Sequence, residues 1–150
     1  MKVIIMRGLP GSGKSTWIQK NLSHLKPPTE LWICSADHHL YQDGEYVWTP
    51  ERLHMAHSRC QNEFLIAMQS KTPPQVVVVD NCNLTNRDMR FYVEAAEKAG
   101  AEIEIRTIHT PPEVAMGRQL HGVPQEKYAL LVQRLTMPIR PDWQKYEVTS

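Results

Sequence analysis

Eight residues near the amino terminus have the types and spacing of a phosphate cradle. Gly8-Leu9-Pro10-Gly11-Ser12-Gly13-Lys14-Ser15 follows an apolar run, Val3–Met6, and opens a helix-forming stretch. Glycines let the backbone wrap an anion with its N–H groups pointing inward. A helix starting at Lys14 adds unsatisfied N–H groups and the positive end of its dipole. In this motif the lysine reaches the outer phosphates of a nucleoside triphosphate and the following hydroxyl ligates Mg²⁺. The expected nucleotide-contacting set is Gly8, Gly11, Ser12, Gly13, Lys14, Ser15 and Thr16. The expected ligands are ATP, or another purine triphosphate, and Mg²⁺.

Such a cradle says what is bound, not what is done with it. Groups for chemistry should stand at the ends of the other strands. Asp37 follows the run Leu31–Cys34, and Asp80 ends the run Val76–Val79. In a doubly wound sheet both carboxylates face the crevice that holds the phosphates. Phosphoryl transfer to a hydroxyl needs a group that takes the proton and aims the oxygen, and Asp37 is the residue chosen for it. Its competing roles are a helix cap or a water-mediated Mg²⁺ contact. Asp80 is expected on the metal side with Ser15, or else as the cap of the turn into Asn81–Asn83. Transition-state charge also calls for a cation from a lid. Arg118, just before the helix break at His121-Gly122-Val123-Pro124, is that arginine unless it is only a solvated surface charge.

The elements that must position these residues alternate. Continuous apolar runs suit strands buried on both faces, and Ile103, Ile105 and Ile108 suggest a further strand with one face near water. Helices are expected from Lys14 to about Leu25 and after Thr49-Pro50, with Leu53, Ala56, Cys60, Phe64 and Ala67 on one face. A third follows the Thr85/Asp88 capping box, carries Tyr92, Val93, Ala96 and Ala99, and stops at Gly100. A fourth begins at Thr110-Pro111 and ends near His121-Gly122; a fifth begins at Pro124 with Tyr128, Leu131, Val132 and Leu135 inward. The tail beyond Pro138 is broken by prolines, with a short strand conceivable at Tyr146–Val148. The expectation is an α/β fold: a mostly parallel central sheet of four to five strands, helices on both faces, and a helical lid at about 112–124.

Composition narrows the partners. The chain has 150 residues, which suits one domain spanning 1–150, and a formal net charge of +1. That balance excludes a protein that grips long nucleic acid by charge alone. No apolar run is long enough for a bilayer span, and no signal-peptide pattern is present, so no membrane partner is expected. Cys34, Cys60 and Cys82 show neither a disulfide framework nor metal-ligand spacing. They read as buried small hydrophobes in a cytoplasmic protein.

Four blocks together resemble a known group: Gly8–Trp17, Ser35–Trp48, Val76–Leu84 and Arg118–Pro124. They are similar to polynucleotide 5′-hydroxyl kinase-like P-loop kinases, meaning the phage polynucleotide kinase domain and the NEDD4-binding protein 2-like AAA-type P-loop family. The likeness covers roughly residues 2–136. It implies the P-loop kinase fold and transfer of the ATP γ-phosphate to the 5′-hydroxyl end of DNA or RNA, a single strand fitting best. Lys14, Asp37 and Arg118 are then catalytic, Ser15 and Asp80 hold the metal, and Asn83, Arg87 and His121 lie on the acceptor side. Two departures stand out. Phage kinases carry an arginine about one turn after the base, where this chain has Leu40. Several place a second arginine near the lid glycine, where it has His121. The phosphatase domain joined to many such kinases is not expected after residue 136. Tyr41, Tyr46 and Trp48, around the turn Asp43-Gly44, could stack a terminal base or pack as a surface hairpin. A small-molecule kinase acting on a nucleoside, sugar or antibiotic hydroxyl stays open, as does a nucleotide-binding switch with little transfer activity.

Overall fold

The computed structural model describes residues 1–120 and 122–149. Strand β1 (Lys2–Arg7) lies at the centre of the sheet, and Val3, Ile5 and Met6 are fully buried. It pairs in parallel with β5 (Val76–Asp80) on one side and β6 (Glu102–Thr107) on the other. Beyond them lie β2 (Leu31–Cys34) and β7 (Glu147–Thr149), so the strand order is β2-β5-β1-β6-β7. Each pairing in this sheet is parallel. From β1 the chain travels to the edge strand β2, and from β5 it crosses to β6 on the other side of β1. That reversal opens a crevice beyond the carboxyl ends of β1 and β5.

Alternation along the strands divides the core. Ile4, Met6, Val76 and Val78 meet Ile18 and Leu22 of α1 (Lys14–Leu22). Val3, Ile5, Val77 and Val79 meet α2 (Pro50–Gln69) and α3 (Asn86–Lys98) on the opposite face. There Phe64 and Tyr92 pack edge to face, with ring centroids 5.1 Å apart. Thr49 caps α2 by accepting the Arg52 amide, and Thr85 with Asp88 forms a reciprocal capping box on α3. No helix among the described residues is long and apolar enough to cross a membrane.

Several boundaries differ from the sequence expectation. Helix α1 stops at Leu22, and a turn folds Leu25 back onto the same apolar face through its amide to the Leu22 carbonyl, 3.0 Å. Ala99 is the exposed C-cap just past α3 rather than part of its inner face, and Gly100 follows with φ 71°. Helix α4 covers only Pro112–Arg118. Gln119 ends it, because its side-chain amide clasps both the N–H and the C=O of Val123, at 2.8 and 3.1 Å, and pulls the chain into a loop. Helix α5 (Gln125–Leu135) completes the lid, with Tyr128 buried. The tail is a 3₁₀ segment, Pro141–Tyr146, leading into β7. Tyr41–Gln42 (β3) and Glu45–Tyr46 (β4) form a separate hairpin, turned by Asp43 and Gly44, both at positive φ.

One side chain joins the sheet to the lid. Arg7, only 4% exposed, donates to the Leu84 carbonyl through Nε and Nη2, and to the Leu135 and Met137 carbonyls through Nη2. Burial lowers its pKa, and Glu147 acts in the opposite sense. Removing it strands three carbonyls. Arg7→Met is expected to cost about 3 kcal/mol of stability, because hydrogen bonds to charged groups are the strong ones. The check is the urea midpoint, with an unchanged slope. Arg7→Lys should recover little, since an ammonium lacks the planar fork.

Candidate active site

The cradle forms where β1 ends. Gly13 caps α1 in the left-handed region at φ 103°, and the Trp17 amide returns to its carbonyl at 2.9 Å. Gly11 sits directly beneath the lid. A Cβ there would stand 2.1 Å from the Ala115 carbonyl oxygen, and its φ of +83° also disfavours a side chain. The Gly8 amide is bonded to the Cys82 carbonyl and the Ser12 amide to the Leu9 carbonyl, each at 3.0 Å. The Ser12 hydroxyl is buried. Neither Gly8 nor Ser12 lines the crevice, so both act through the shape of the loop rather than from its open face. Thr110 donates to the Ser12 carbonyl at 2.6 Å and Tyr128 to the Pro10 carbonyl at 2.8 Å. The loop is therefore held from below by β1 and from above by the lid.

The crevice is a cleft of about 870 Å³. Lys14, Ser15, Thr16, Asp37, Asp80, Asn83, Arg87 and Arg118 all line it. His121 lies outside the described residues. The Lys14 ammonium rests on the Gly8 and Leu9 carbonyls, each 2.9 Å away, and 3.9 Å from the Cys82 sulfur. The Ser15 hydroxyl hydrogen-bonds the Asp80 carboxylate. Burial raises the Asp80 pKa, while Lys14 and His38 pull it back. Asp37 opens a 3₁₀ turn, Asp37–Leu40, and is exposed to the cleft. The amide before it, that of Ala36, is fixed to Asn81 Oδ1 at 2.9 Å. Asp37 and Asp80 are close enough that Asp37 also raises the Asp80 pKa. Arg118 ends α4 and faces the same space from the lid.

The donor set suits Mg²⁺. Ser15 and Asp80 offer hard oxygens, and the described residues contain no group of three or more His, Cys, Asp or Glu able to hold a metal. A cation there would complete its shell with phosphate oxygens and water, which is how Mg²⁺ is usually held in phosphate-transfer sites.

Asn83 has a structural task. It is 4% exposed and at φ 50°. Its Nδ2 donates to the Met6 carbonyl at 2.7 Å, with longer contacts to the Asn81 and Val79 carbonyls at 3.2 and 3.5 Å. It clasps the ends of β1 and β5 together, which leaves its amide little freedom for an acceptor. Cys34 and Cys60 are buried, but Cys82 is only half-buried and sits in the cleft beside Lys14. Burial pushes its thiol pKa up.

Sequence reasoning passed over several lining residues. His57 and Gln61 stand four apart on α2, one step round from the apolar stripe of Ala56 and Cys60. Burial lowers the His57 pKa, with Asp88 and Asp37 opposing. Lys127, Leu131 and Arg134 line the cleft at i, i+4 and i+7 of α5. That spacing is the signal in the sequence, overlaid by the apolar stripe to which Leu131 belongs. Lys127 lies over the Trp48 ring, 4.8 Å from its centroid. Trp48 and Tyr46 line the cleft, whereas Tyr41 packs edge-on against Tyr46 outside it.

Two outcomes are expected. Gly11→Ala forces the loop and lid apart at a strain of about 1–3 kcal/mol, which should weaken nucleotide binding by roughly tenfold, measured calorimetrically. Asp80→Asn should raise the urea midpoint in metal-free buffer at neutral pH. A carboxyl held above its ordinary value favours folding below that value, and the contribution is lost as pH rises through the raised pKa. Asparagine keeps an acceptor for Ser15 without the buried charge.

The AAA domain family profile matches residues 3–121. NEDD4-binding protein 2 of Homo sapiens is 32% identical over 136 residues, which is 87% of this chain and 7% of the human protein's length. A chain of the Pnkp1/Rnl/Hen1 RNA repair complex superposes with a TM-score of 0.69 at 20% identity, covering 89% of this chain and 43% of that one. A gluconokinase from Sinorhizobium meliloti 1021 gives 0.56 at 17% identity, covering 99% and 81%. The two structural likenesses speak for the fold. With its P-loop, parallel five-stranded sheet and helical lid, the chain belongs to the AAA domain family and has the P-loop kinase fold.

Proposed function

We propose that this chain transfers the γ-phosphoryl group of ATP to the 5′-hydroxyl end of a DNA or RNA strand. The observation that carries this reading is one cleft with two chemistries. Lys14, Ser15 and Asp80, the residues suited to phosphate and metal, line it together with Asp37 and Arg118. Asp37 accepts the hydroxyl proton as the acceptor oxygen bonds to the γ-phosphorus, and the bond from that phosphorus to the bridging oxygen breaks to release ADP. Lys14 leaves the Gly8 and Leu9 carbonyls for the phosphates. Arg118 meets the charge that spreads over the transferring group. Mg²⁺ held by Ser15 and Asp80 would neutralise phosphate charge. Trp48 and Tyr46 offer a shelf for the terminal base of a single strand.

The resemblance to 5′-hydroxyl kinases and the relative at an RNA repair complex support the nucleic-acid acceptor. A small-molecule acceptor is the second reading, favoured by Leu40. That residue is fully buried, so the turn bearing Asp37 presents no arginine to a strand phosphate. Three free thiols suit a cytoplasmic location.

The test is transfer from γ-labelled ATP to 5′-hydroxyl oligonucleotides, nucleosides and sugars in parallel. Label on the oligonucleotide is expected; label on small molecules alone sinks the reading. Asp37→Asn should nearly abolish transfer while ATP affinity stays within about twofold. Arg118→Ala should lower turnover by about 10³-fold, as for an arginine finger. A loss below about threefold would return Arg118 to the solvated surface.

A further inference from the structure

We propose that Cys60 is a positioning residue for Asp37, acting through the side chain of Asn81. The proposal rests on the kinase reading for what Asp37 does, and on geometry for how Asp37 is held. Ala36, the residue that enters the Asp37 turn, is tied on both sides. Its amide donates to Asn81 Oδ1 at 2.9 Å, and its carbonyl accepts the His39 amide at 3.0 Å. Asn81 serves that amide only while its oxygen faces Ala36. Turned over, its Nδ2 would meet the Ala36 N–H, donor against donor. Cys60 fixes the turn of the amide. Its sulfur accepts Asn81 Nδ2 at 3.6 Å and the Tyr92 hydroxyl at 3.3 Å. Tyr92 in turn packs edge-on against Phe64 and Phe91, with ring centroids 5.1 and 5.5 Å away.

By its place on α2, in the apolar stripe with Ala56, Phe64 and Ala67, Cys60 reads as a small hydrophobe. Its contacts make it an acceptor instead. It is fully buried, so water does not take its place. An apolar residue of similar size would fill the space and leave two donors without their acceptor, and buried donors left unmet are costly. The rest of the turn is anchored separately. Leu40 is fully buried, and Glu63 Oε1, one turn beyond Cys60 on α2, lies 2.8 Å from His39 Nε2. These anchors keep the turn folded when Cys60 is changed. What Cys60 adds is the exact seat of the residue before Asp37. Proton transfer makes that seat matter, because a misplacement of about 1 Å can cost about 10²-fold in rate.

The experiment pairs hydrogen exchange at the Ala36 amide with transfer kinetics from ATP to a 5′-hydroxyl oligonucleotide, on the full chain. Cys60→Val fills the space without an acceptor, and Cys60→Ser keeps an acceptor. Cys60→Val should speed exchange at Ala36 by about tenfold and lower kcat by about tenfold, with the KM for ATP within about twofold of wild type. Cys60→Ser should recover most of both. If Cys60 served packing alone, valine would recover and serine would not. Adding Cys60→Val to Asn81→Ala should lower kcat no further than Asn81→Ala does, since the two act in series. Unaltered exchange at Ala36 in Cys60→Val, valine matching or surpassing serine, or losses that multiply in the double variant would overturn the proposal and leave the kinase reading in place. Exchange altered as expected, in a wild type that transfers phosphate to no 5′-hydroxyl, would sink the kinase reading and leave Cys60 as the residue that seats the Asp37 turn.

Discussion

A buried guanidinium holds this molecule's working end together. Arg7 closes the central strand, and the next residue begins the phosphate loop. From that point it gathers carbonyl oxygens from the segment after β5 and from the carboxyl end of α5. Unpaired, a buried charge would be costly, and its desolvation is visible in the lowered pKa. Carbonyl dipoles solvate it instead of a carboxylate. The arrangement fixes the lid's far end against the sheet while leaving its near end to rest on the loop.

The near end works through close approach rather than charge. Ala115 of α4 lies where a side chain on Gly11 would have to be, and Tyr128 of α5 reaches the Pro10 carbonyl. Leu9, Leu84, Ala115 and Tyr128 form a small apolar cluster of their own beneath these contacts. The loop's shape and the lid's position are therefore one mechanical unit. Lys14 is kept in place by two carbonyls of that unit, contacts that an arriving phosphate can replace because the ammonium is a compact, rotatable donor. Across the cleft, Ala36 bonded to Asn81 fixes where Asp37 stands relative to Asp80. In the proposed reaction, donor side and acceptor side thus share the carboxyl end of β5.

What could be read from the sequence was local. The phosphate loop, the buried central strands, the Thr49 cap, the Thr85/Asp88 box and the Asp43-Gly44 hairpin turn each depend on residues a few positions apart. The contacts that escaped notice bridge long separations. Arg7 only follows an apolar run in the sequence, and its carbonyl partners lie 77 residues away or more. Asn83 looked like a substrate ligand, because nothing nearby reveals that its amide is bound to Met6. The length of α4 depended on a glutamine side chain folding back on Val123, a contact no periodicity encodes. The fifth strand is three residues long and defined by its pairing with β6 alone.

In the proposed reaction Asp37 and the Ser15–Asp80 pair work on one acceptor–donor pair. The most direct measurement is a structure of the protein with Mg²⁺, a non-hydrolysable ATP analogue and a short 5′-hydroxyl oligonucleotide. The terminal 5′-oxygen is expected within hydrogen-bond reach of the Asp37 carboxylate, about 2.6–3.2 Å, and in line with the γ-phosphorus. A strand end bound away from Asp37, or a γ-phosphate turned from it, would show that Asp37 is not the group that takes the hydroxyl proton.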